Sequence, residues 1–191
     1  MNDTERAAWD RRYREGTHQS LTPDSLLVSA YEEFIAPGFP QSGRCLDLAG
    51  GVGRHAIFLA ERGWDVTLLE ISPAGLDIAK HEVAKRGLHI VAAQADLAET
   101  TLPTATFDLI LNFFYLERTL LSQIAAALKL GGLLIFKTYT RDQLRLGGGP
   151  SHPMHLLESN ELLRAFAGFR ILHYHESLKD KAVAELVARK E

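Results

Sequence analysis

Apolar residues along the chain fall into two alternating patterns from Arg44 onward. Short, mostly apolar runs are typical of strands buried on both faces, and segments with helical spacing separate them. The predicted strands are RCLDLA (44–49), DVTLLE (65–70), HIVAAQA (89–95), FDLILNF (107–113), LLIFKTY (133–139), FRILHYHES (169–177) and KAVAELVARK (181–190). The alternation predicts an α/β protein with a mainly parallel sheet and helices on both of its faces.

Capping residues mark the helices between these strands. Asp24 is expected to cap a helix over 25–35, and Ser72 with Pro73 begins a helix that Gly87 ends. Further helices are predicted over 4–15, 54–62, 119–128 and 159–167. The last two strands are separated by only a short turn around Lys179, which is too short for a parallel crossover. These two strands are therefore expected to be an antiparallel pair.

Composition narrows the class of protein. A length of 191 residues, of which 46% are hydrophobic, fits one domain over 1–191, with a helical segment over 1–40 and a core over 43–191. The net charge of −3 lacks the basic excess of a nucleic-acid or membrane-surface protein, so we expect neither as a partner. The single cysteine, Cys45, cannot form an internal disulfide, which favours a reducing, cytoplasmic location.

The stretch LDLAGGVGRHA (46–56) follows the first predicted strand with a run of small residues. In an open parallel sheet, ligands bind beyond the carboxyl ends of the strands, and small residues let a ligand approach the backbone there. The helix that follows offers free N–H groups and the positive end of its dipole. A nucleotide-like cofactor site is predicted here; the alternative is a tight turn without a ligand.

Two cofactors fit these glycines. GVGRHA (51–56) matches G-x-G-x-x-[GA], and Glu70 lies near the offset of a ribose-binding acid, so an NAD-type dehydrogenase is one alternative. Asp47 points to another, because a carboxylate at the strand end would repel a pyrophosphate but would suit an ammonium group. The short chain also leaves little room for the catalytic domain that a dinucleotide enzyme needs.

Residues 47–53 resemble the D-x-[GA]-x-G-x-G motif of class I S-adenosylmethionine-dependent methyltransferases. The resemblance implies a Rossmann-like seven-stranded sheet of order 3-2-1-4-5-7-6 with an antiparallel last strand, and methyl transfer to a small-molecule acceptor, leaving S-adenosyl-L-homocysteine. WDRRY (9–13) and PMHLLESNELL (153–163) are similar to the tellurite-resistance-like branch of that family. A protein that binds S-adenosylmethionine without catalysis is a further alternative.

The resemblance also implies a set of cofactor-binding positions at successive strand ends. They are Asp47, Ala49, Gly50, Gly51, Gly53, Glu70, Ile71, Asp96, Leu97 and Asn112. Glu70 is expected to accept hydrogen bonds from both ribose hydroxyls, since a carboxylate has two acceptor oxygens in one plane. Asp47 would face the ammonium group, and Asp96 and Leu97 the adenine ring. Ala49 departs from the motif's first glycine, which a negative φ would tolerate at the cost of a methyl group near the cofactor.

Acceptor-binding residues are expected among Arg12, Tyr13, Tyr115, Arg141 and His152. No catalytic residue is assigned, because a sulfonium is already a good leaving group and displacement needs alignment above all. No metal site is predicted from the histidine pairs, since no cysteine or carboxylate cluster joins them. The segments 9–18 and 141–155 are expected to close together over the cofactor.

Overall fold

Seven strands form one sheet in a computed structural model that describes residues 3–191. The strands are β1 (Arg44–Leu48), β2 (Asp65–Glu70), β3 (Val91–Gln94), β4 (Phe107–Phe113), β5 (Leu128–Tyr139), β6 (Phe169–Leu178) and β7 (Ala182–Lys190). Their order is β3-β2-β1-β4-β5-β7-β6, as the resemblance implied. The chain divides into two compact units, Met1–Thr101 and Leu102–Glu191, and the expectation of a single domain stays a prediction.

The first unit carries three parallel strands. Its helices are α1 (Asp3–Arg14), α2 (Ser25–Ala30), α3 (Ala36–Gly38), α4 (Arg54–Ala60) and α5 (Pro73–Lys85). β1 pairs with β2 and β2 with β3, so Asp47 lies opposite Leu68 and Glu70 opposite Gln94. Because all three strands run the same way, their carboxyl ends meet at one edge of the sheet, and each is followed by a loop that leads away from that edge.

The helix predicted over 25–35 is longer and less regular than expected. Asp24 caps it by accepting a hydrogen bond from the Leu26 N–H at 3.0 Å. A π-helical turn over Tyr31–Ile35 then joins α2 to α3, and the helical path continues past Pro37. The helical path therefore ends at Gly38, three residues after the predicted end.

The second unit holds the remaining strands. Its helices are α6 (Arg118–Ala127), α7 (Gln143–Leu146) and α8 (Glu161–Ala165), with a 3₁₀ turn at Pro153–His155. β4 and β5 are parallel, whereas β7 is antiparallel to both β5 and β6. The short turn at Lys179 thus joins an antiparallel pair, as predicted.

β5 begins five residues before the predicted start, at Leu128. Gly131 and Gly132 lie inside the strand instead of turning into it. A Cβ on Gly132 would lie 2.9 Å from the Lys129 carbonyl oxygen, so the backbone folds back on itself here and only glycine fits. The pairing of β4 with β5 shifts register between Phe107 and Leu109, which is where this irregularity is absorbed.

Candidate functional site

The glycine loop of the first unit is shaped by close packing at its small residues. A Cβ on Gly50 would lie 2.1 Å from Leu68 Cδ1 and 2.7 Å from Asp47 Oδ2. Gly51 has a φ of 60° and Gly53, the N-cap of α4, a φ of 79°. The loop therefore needs glycine for space at Gly50 and for backbone conformation at the other two positions.

Ala49 stands in a conformation that alanine adopts poorly. Its φ is 50°, whereas the sequence expectation assumed a negative angle. The left-handed region brings the Cβ of an L-residue close to the following carbonyl oxygen, at a cost of about 1–2 kcal/mol. Glycine in the family's motif would adopt this positive φ without strain, whereas the alanine of this chain is strained here.

Asp47 is a buried carboxylate, and neither of its oxygens makes a hydrogen bond of good geometry within residues 3–191. Only 1% of its surface is exposed. Burial raises the pKa of Asp47 to about 7, although the nearby Arg54 guanidinium and the Ala56 N–H act in the opposite direction. An ionised carboxylate in such a place is costly unless a cationic group pairs with it, so this side chain fits an ammonium group supplied by a ligand.

Glu70 holds the glycine loop and the start of α5 together. Its Oε2 accepts a hydrogen bond from the Gly51 N–H, and its Oε1 one from the Ser72 N–H, each at 2.9 Å. Burial raises the pKa of Glu70, and these two N–H groups limit the rise. Each carboxylate oxygen still has a second lone pair, so the expected contact with a ribose remains chemically open.

The residues predicted for the adenine ring lie at the ends of β2 and β3. Asp96 follows β3 and accepts a hydrogen bond from the Ala98 N–H at 2.9 Å, which closes a turn. Leu97 is buried, and Ile71 is half-buried beside the end of β2. The structure thus brings an apolar side chain and an acidic one to neighbouring strand ends, and their contact with the adenine ring stays a prediction.

α1 packs directly on this part of the first unit. Asp10 accepts a hydrogen bond from the Ser72 hydroxyl and one from the Ala74 N–H at 3.2 Å, so it caps α5 from another helix. Burial opposes ionisation of Asp10, but these hydrogen bonds outweigh it and hold the pKa of Asp10 below its ordinary value. No role for Asp10 was predicted from the sequence, although its position in WDRRY, three residues before Tyr13, places it on the same helical face.

Tyr13 lies at the glycine loop and not on an open acceptor surface. A Cβ on Gly51 would lie 2.7 Å from its hydroxyl oxygen, and a Cβ on Gly75 3.0 Å from its ring. Burial and the Glu70 carboxylate raise the pKa of the Tyr13 phenol. Trp9 stacks on Tyr13 at 5.8 Å between ring centroids, and the guanidinium of exposed Arg12 lies 4.7 Å from the Trp9 ring.

The other predicted residues lie in the second unit, and three of them make local contacts. Asn112 donates its side-chain N–H to the Tyr115 carbonyl at 2.7 Å, which closes the turn after β4. Arg141 forms an ion pair with Glu158 at 2.6 Å. His152 accepts a hydrogen bond from the Met154 N–H at 3.3 Å. Each of these side chains therefore supports its own loop.

Two further results concern the residues that the structure describes. No helix within residues 3–191 is long and apolar enough to cross a membrane. Within the same residues, no group of three or more His, Cys, Asp or Glu side chains is placed to hold a metal ion.

Comparison with known proteins identifies the family. Residues 45–132 match the methyltransferase-domain family. They form a methyltransferase domain. The match favours S-adenosylmethionine over the NAD alternative, because Asp47, the glycine loop, Glu70 and Asp96 all lie within this methyltransferase domain.

Similar proteins extend this result. The tRNA 5-carboxymethoxyuridine methyltransferase of Escherichia coli (strain K12) is 30% identical over 132 residues, which cover 65% of this chain and 51% of that protein. The chain thus matches about half the length of this relative. The crystal structure of TehB from Haemophilus influenzae shares the fold with a TM-score of 0.76 and 19% identity, over 95% of this chain and 67% of that one. The geranyl diphosphate C-methyltransferase of Streptomyces coelicolor, solved with S-adenosyl-L-homocysteine, shares it with a TM-score of 0.64 and 18% identity, over 85% of this chain and 77% of that one.

The tRNA relative corrects one expectation. Low net charge led the sequence analysis to expect a small-molecule acceptor and no nucleic acid, yet this similar protein is named for a tRNA nucleotide. That expectation was wrong because net charge averages over the whole surface. An enzyme that modifies one nucleotide needs only a local contact area. The net charge of the whole chain does not report the charge of such an area, because acidic residues elsewhere cancel it in the total.

Proposed function

We propose that this chain binds S-adenosylmethionine through its first unit and transfers the methyl group to an acceptor. The observation that carries the proposal is Asp47, a buried carboxylate whose oxygens make no hydrogen bond of good geometry within residues 3–191 and which lies beside a strained glycine loop. A ligand that brings an ammonium group to this loop would supply a donor that pairs directly with these oxygens. S-adenosylmethionine carries such a group, and its sulfonium supplies a methyl group that is ready for transfer.

The surrounding residues have distinct roles in this proposal. Glu70 orders the loop through its two backbone hydrogen bonds and uses its remaining lone pairs for the ribose hydroxyls. Asp96 and Leu97 hold the adenine edge, and Ile71 packs on the ring. Tyr13 moves from the acceptor residues to the cofactor residues, because its ring lies against Gly51 and Gly75.

The chain's contribution to the reaction is alignment and exclusion of water. The acceptor's lone pair forms the new bond to the methyl carbon, and the electrons of the broken sulfur–carbon bond remain on sulfur. Holding the two reactants in line can contribute about 7–11 kcal/mol toward lowering the barrier. No side chain has to form a covalent bond in this reaction.

Calorimetry tests the cofactor proposal with a matched pair of variants. Glu70→Ala should weaken binding of S-adenosyl-L-homocysteine at least about tenfold, since a hydrogen bond to a charged group contributes about 1.5–3 kcal/mol. Asp65→Asn is the control, because Asp65 is an exposed acid at the opposite end of the same strand. Folded wild-type chain that binds neither S-adenosylmethionine nor S-adenosyl-L-homocysteine at millimolar concentration would exclude the proposal.

The acceptor that we propose is a nucleotide of RNA. The 30% identical relative named for a tRNA nucleotide supports it, although this chain spans about half of that relative. The measurement is release of S-adenosyl-L-homocysteine when the purified chain meets tRNA that contains 5-carboxymethoxyuridine, against tRNA that lacks it. Release that is the same with and without the RNA would count against a nucleotide acceptor.

A further inference from the structure

Two aromatic rings and two ammonium groups converge at one place in the second unit. The Phe114 and Tyr139 rings lie 5.3 Å apart between centroids. The Lys181 ammonium lies 5.2 Å from the Phe114 ring centroid, and the Lys137 ammonium lies 5.9 Å from it. We call these four residues the ring–lysine cluster.

The fold explains why residues so distant in sequence meet here. β4 and β5 are parallel, so Phe114 directly after β4 and Tyr139 at the end of β5 reach the same edge of the sheet. β7 runs antiparallel to β5 and pairs Val183 with Tyr139, which returns the β6–β7 turn and Lys181 to that edge. In open α/β sheets, the carboxyl ends of the parallel strands are where ligands bind.

The backbone at Phe114 is held in an unfavourable conformation. Its φ is 60°, in the left-handed region that a bulky aromatic residue rarely adopts. The Phe114 N–H donates to the Lys137 carbonyl at 2.7 Å, which continues the pairing of β4 with β5 by one residue. Non-glycine residues held in this region cluster at ligand sites, where the surrounding structure keeps them in place.

The two lysines differ in their charge balance. Lys137 is 12% exposed and pairs with Glu185 at 2.8 Å. Burial raises the pKa of the Tyr139 phenol, and the positive charge of Lys137 limits the rise. Lys181 is exposed and forms no ion pair within the part of the chain that the structure describes, so its positive charge is available to a ligand.

The ring–lysine cluster offers a positive charge to a ligand, whereas two of the predicted acceptor residues are engaged in local contacts. Arg141 is paired with Glu158, and His152 accepts a hydrogen bond in its own turn. Lysine charge beside a ring would repel the positive sulfonium of the cofactor. The cluster therefore suits a ligand that carries an anionic group beside a flat ring.

We propose that the ring–lysine cluster binds the acceptor, and that the acceptor is an RNA base bearing an acidic substituent: Phe114 packs against the base and Lys181 pairs with the acid. This inference rests on the proposed methyl transfer and names its substrate class. Base–aromatic stacking and a charged hydrogen bond are the two interactions that the cluster offers.

The test compares two RNA stem–loops that differ in one group. One carries 5-carboxymethoxyuridine in its loop and the other carries 5-methoxyuridine, which lacks the acid. Wild-type chain should bind the acidic RNA at least about tenfold more tightly, and Lys181→Met should reduce that ratio to about one. Lys179→Met is the matched control, since it removes the same charge from the same turn and should keep the ratio.

Phe114→Asn tests the ring, because asparagine tolerates the left-handed backbone and removes the aromatic surface. It should weaken binding of both RNAs by about tenfold and leave their ratio unchanged. Equal binding of the two RNAs by wild type, no binding of either, or the same loss of ratio in Lys179→Met would overturn the assignment of the cluster. Equal affinity of the free 5-carboxymethoxyuridine nucleoside would overturn RNA as the source of the base.

Failure of the cluster and failure of the proposed function give different results. Binding of S-adenosyl-L-homocysteine is measured on the same samples, and the RNA ratio is measured with and without it. A chain that binds S-adenosyl-L-homocysteine but does not distinguish the RNAs keeps the proposed function and loses the cluster. A chain that distinguishes the RNAs but does not bind S-adenosyl-L-homocysteine keeps the cluster and loses the proposed function.

Discussion

Single residues around the glycine loop are where this chain departs from its family and where its chemistry can be tested. Ala49 carries a positive φ in place of a glycine, and Asp47 is a buried acid without a hydrogen bond of good geometry among the described residues. One is a conformational cost and the other an electrostatic cost. Both lie within the segment that we propose for the cofactor, so relieving either of them should change stability and binding in a predictable direction.

Ala49→Gly should stabilise the chain by about 0.5–1 kcal/mol. The substitution removes about 1–2 kcal/mol of left-handed strain, and the greater flexibility of unfolded glycine offsets part of that gain. Chemical unfolding measures the change. Ala105→Gly is the control, since Ala105 has a φ of 46° in a loop of the second unit and should give a similar gain. A loss of stability at position 49 would show that the alanine methyl is needed for packing.

Asp47 should make cofactor affinity depend on pH. A carboxyl with a pKa raised to about 7 is largely protonated below that pH, and it must lose its proton before it can pair with an ammonium group. Affinity for S-adenosyl-L-homocysteine should therefore fall by up to about tenfold for each pH unit below 7. Calorimetry between pH 5.5 and about 8.5 measures it, and Asp47→Asn should bind weakly with a flat profile.

The same group predicts how stability varies with pH. The folded-state pKa of Asp47 lies above the unfolded-state value of 3.8, so the folded chain takes up the proton first. The free energy of unfolding should then fall as the pH rises from about 4 to 7, by up to about 1.4 kcal/mol per pH unit from this group. Asp47→Asn removes that contribution, and an unchanged pH profile in the variant would contradict it.

At the scale of elements, α1 is attached to the rest of the first unit by a side chain that caps a different helix, α5. Asp10 caps α5, and Tyr13 packs between Gly51 and Gly75. The predicted role of this segment is a cover over the cofactor, and the alternative is a helix that only docks on the domain. The contacts of Tyr13 with the glycine loop make α1 a direct neighbour of the proposed cofactor, and whether it closes with 141–155 stays a prediction.

Asp10→Ala should lower the free energy of unfolding by about 1–2 kcal/mol, because it removes a cap and leaves the Ala74 N–H without its acceptor. Affinity for S-adenosyl-L-homocysteine should fall as α1 loosens. The measurements are urea unfolding and calorimetry. Arg11→Ala is the control, since Arg11 is an exposed residue on the same helix. If Asp10→Ala lowers stability and leaves affinity unchanged, α1 docks without covering the cofactor.

For the whole molecule, binding and folding are linked. A ligand that binds only the folded chain at 100 times its dissociation constant stabilises it by about 2.7 kcal/mol. For a chain of this length that corresponds to a rise in the melting temperature of roughly 5–10 °C. S-adenosyl-L-homocysteine should give this shift, and NAD at the same concentration should give none. A shift with NAD alone would restore the dehydrogenase alternative.

Much of the fold followed from local patterns. The seven strands, the helix caps at Asp24 and Ser72 and the antiparallel final pair were predictable, because strand burial, capping and turn length act over a few residues. The order of the strands came from the resemblance at 47–53. The start of β5 was missed, since Gly131 and Gly132 look like a turn until the backbone contact at Gly132 is known.

The sequence alone determined the kind of site: acids at successive strand ends, beside a loop of small residues. Only the tertiary structure decided what each side chain does there. Tyr13 packs against the glycine loop, Arg141 pairs with Glu158, and Lys181 reaches the Phe114 ring across 67 positions of sequence. Spacing along the chain carries information about neighbours on one helix or strand. Contacts between elements depend on how parallel and antiparallel strands bring their ends together, and no local pattern records that.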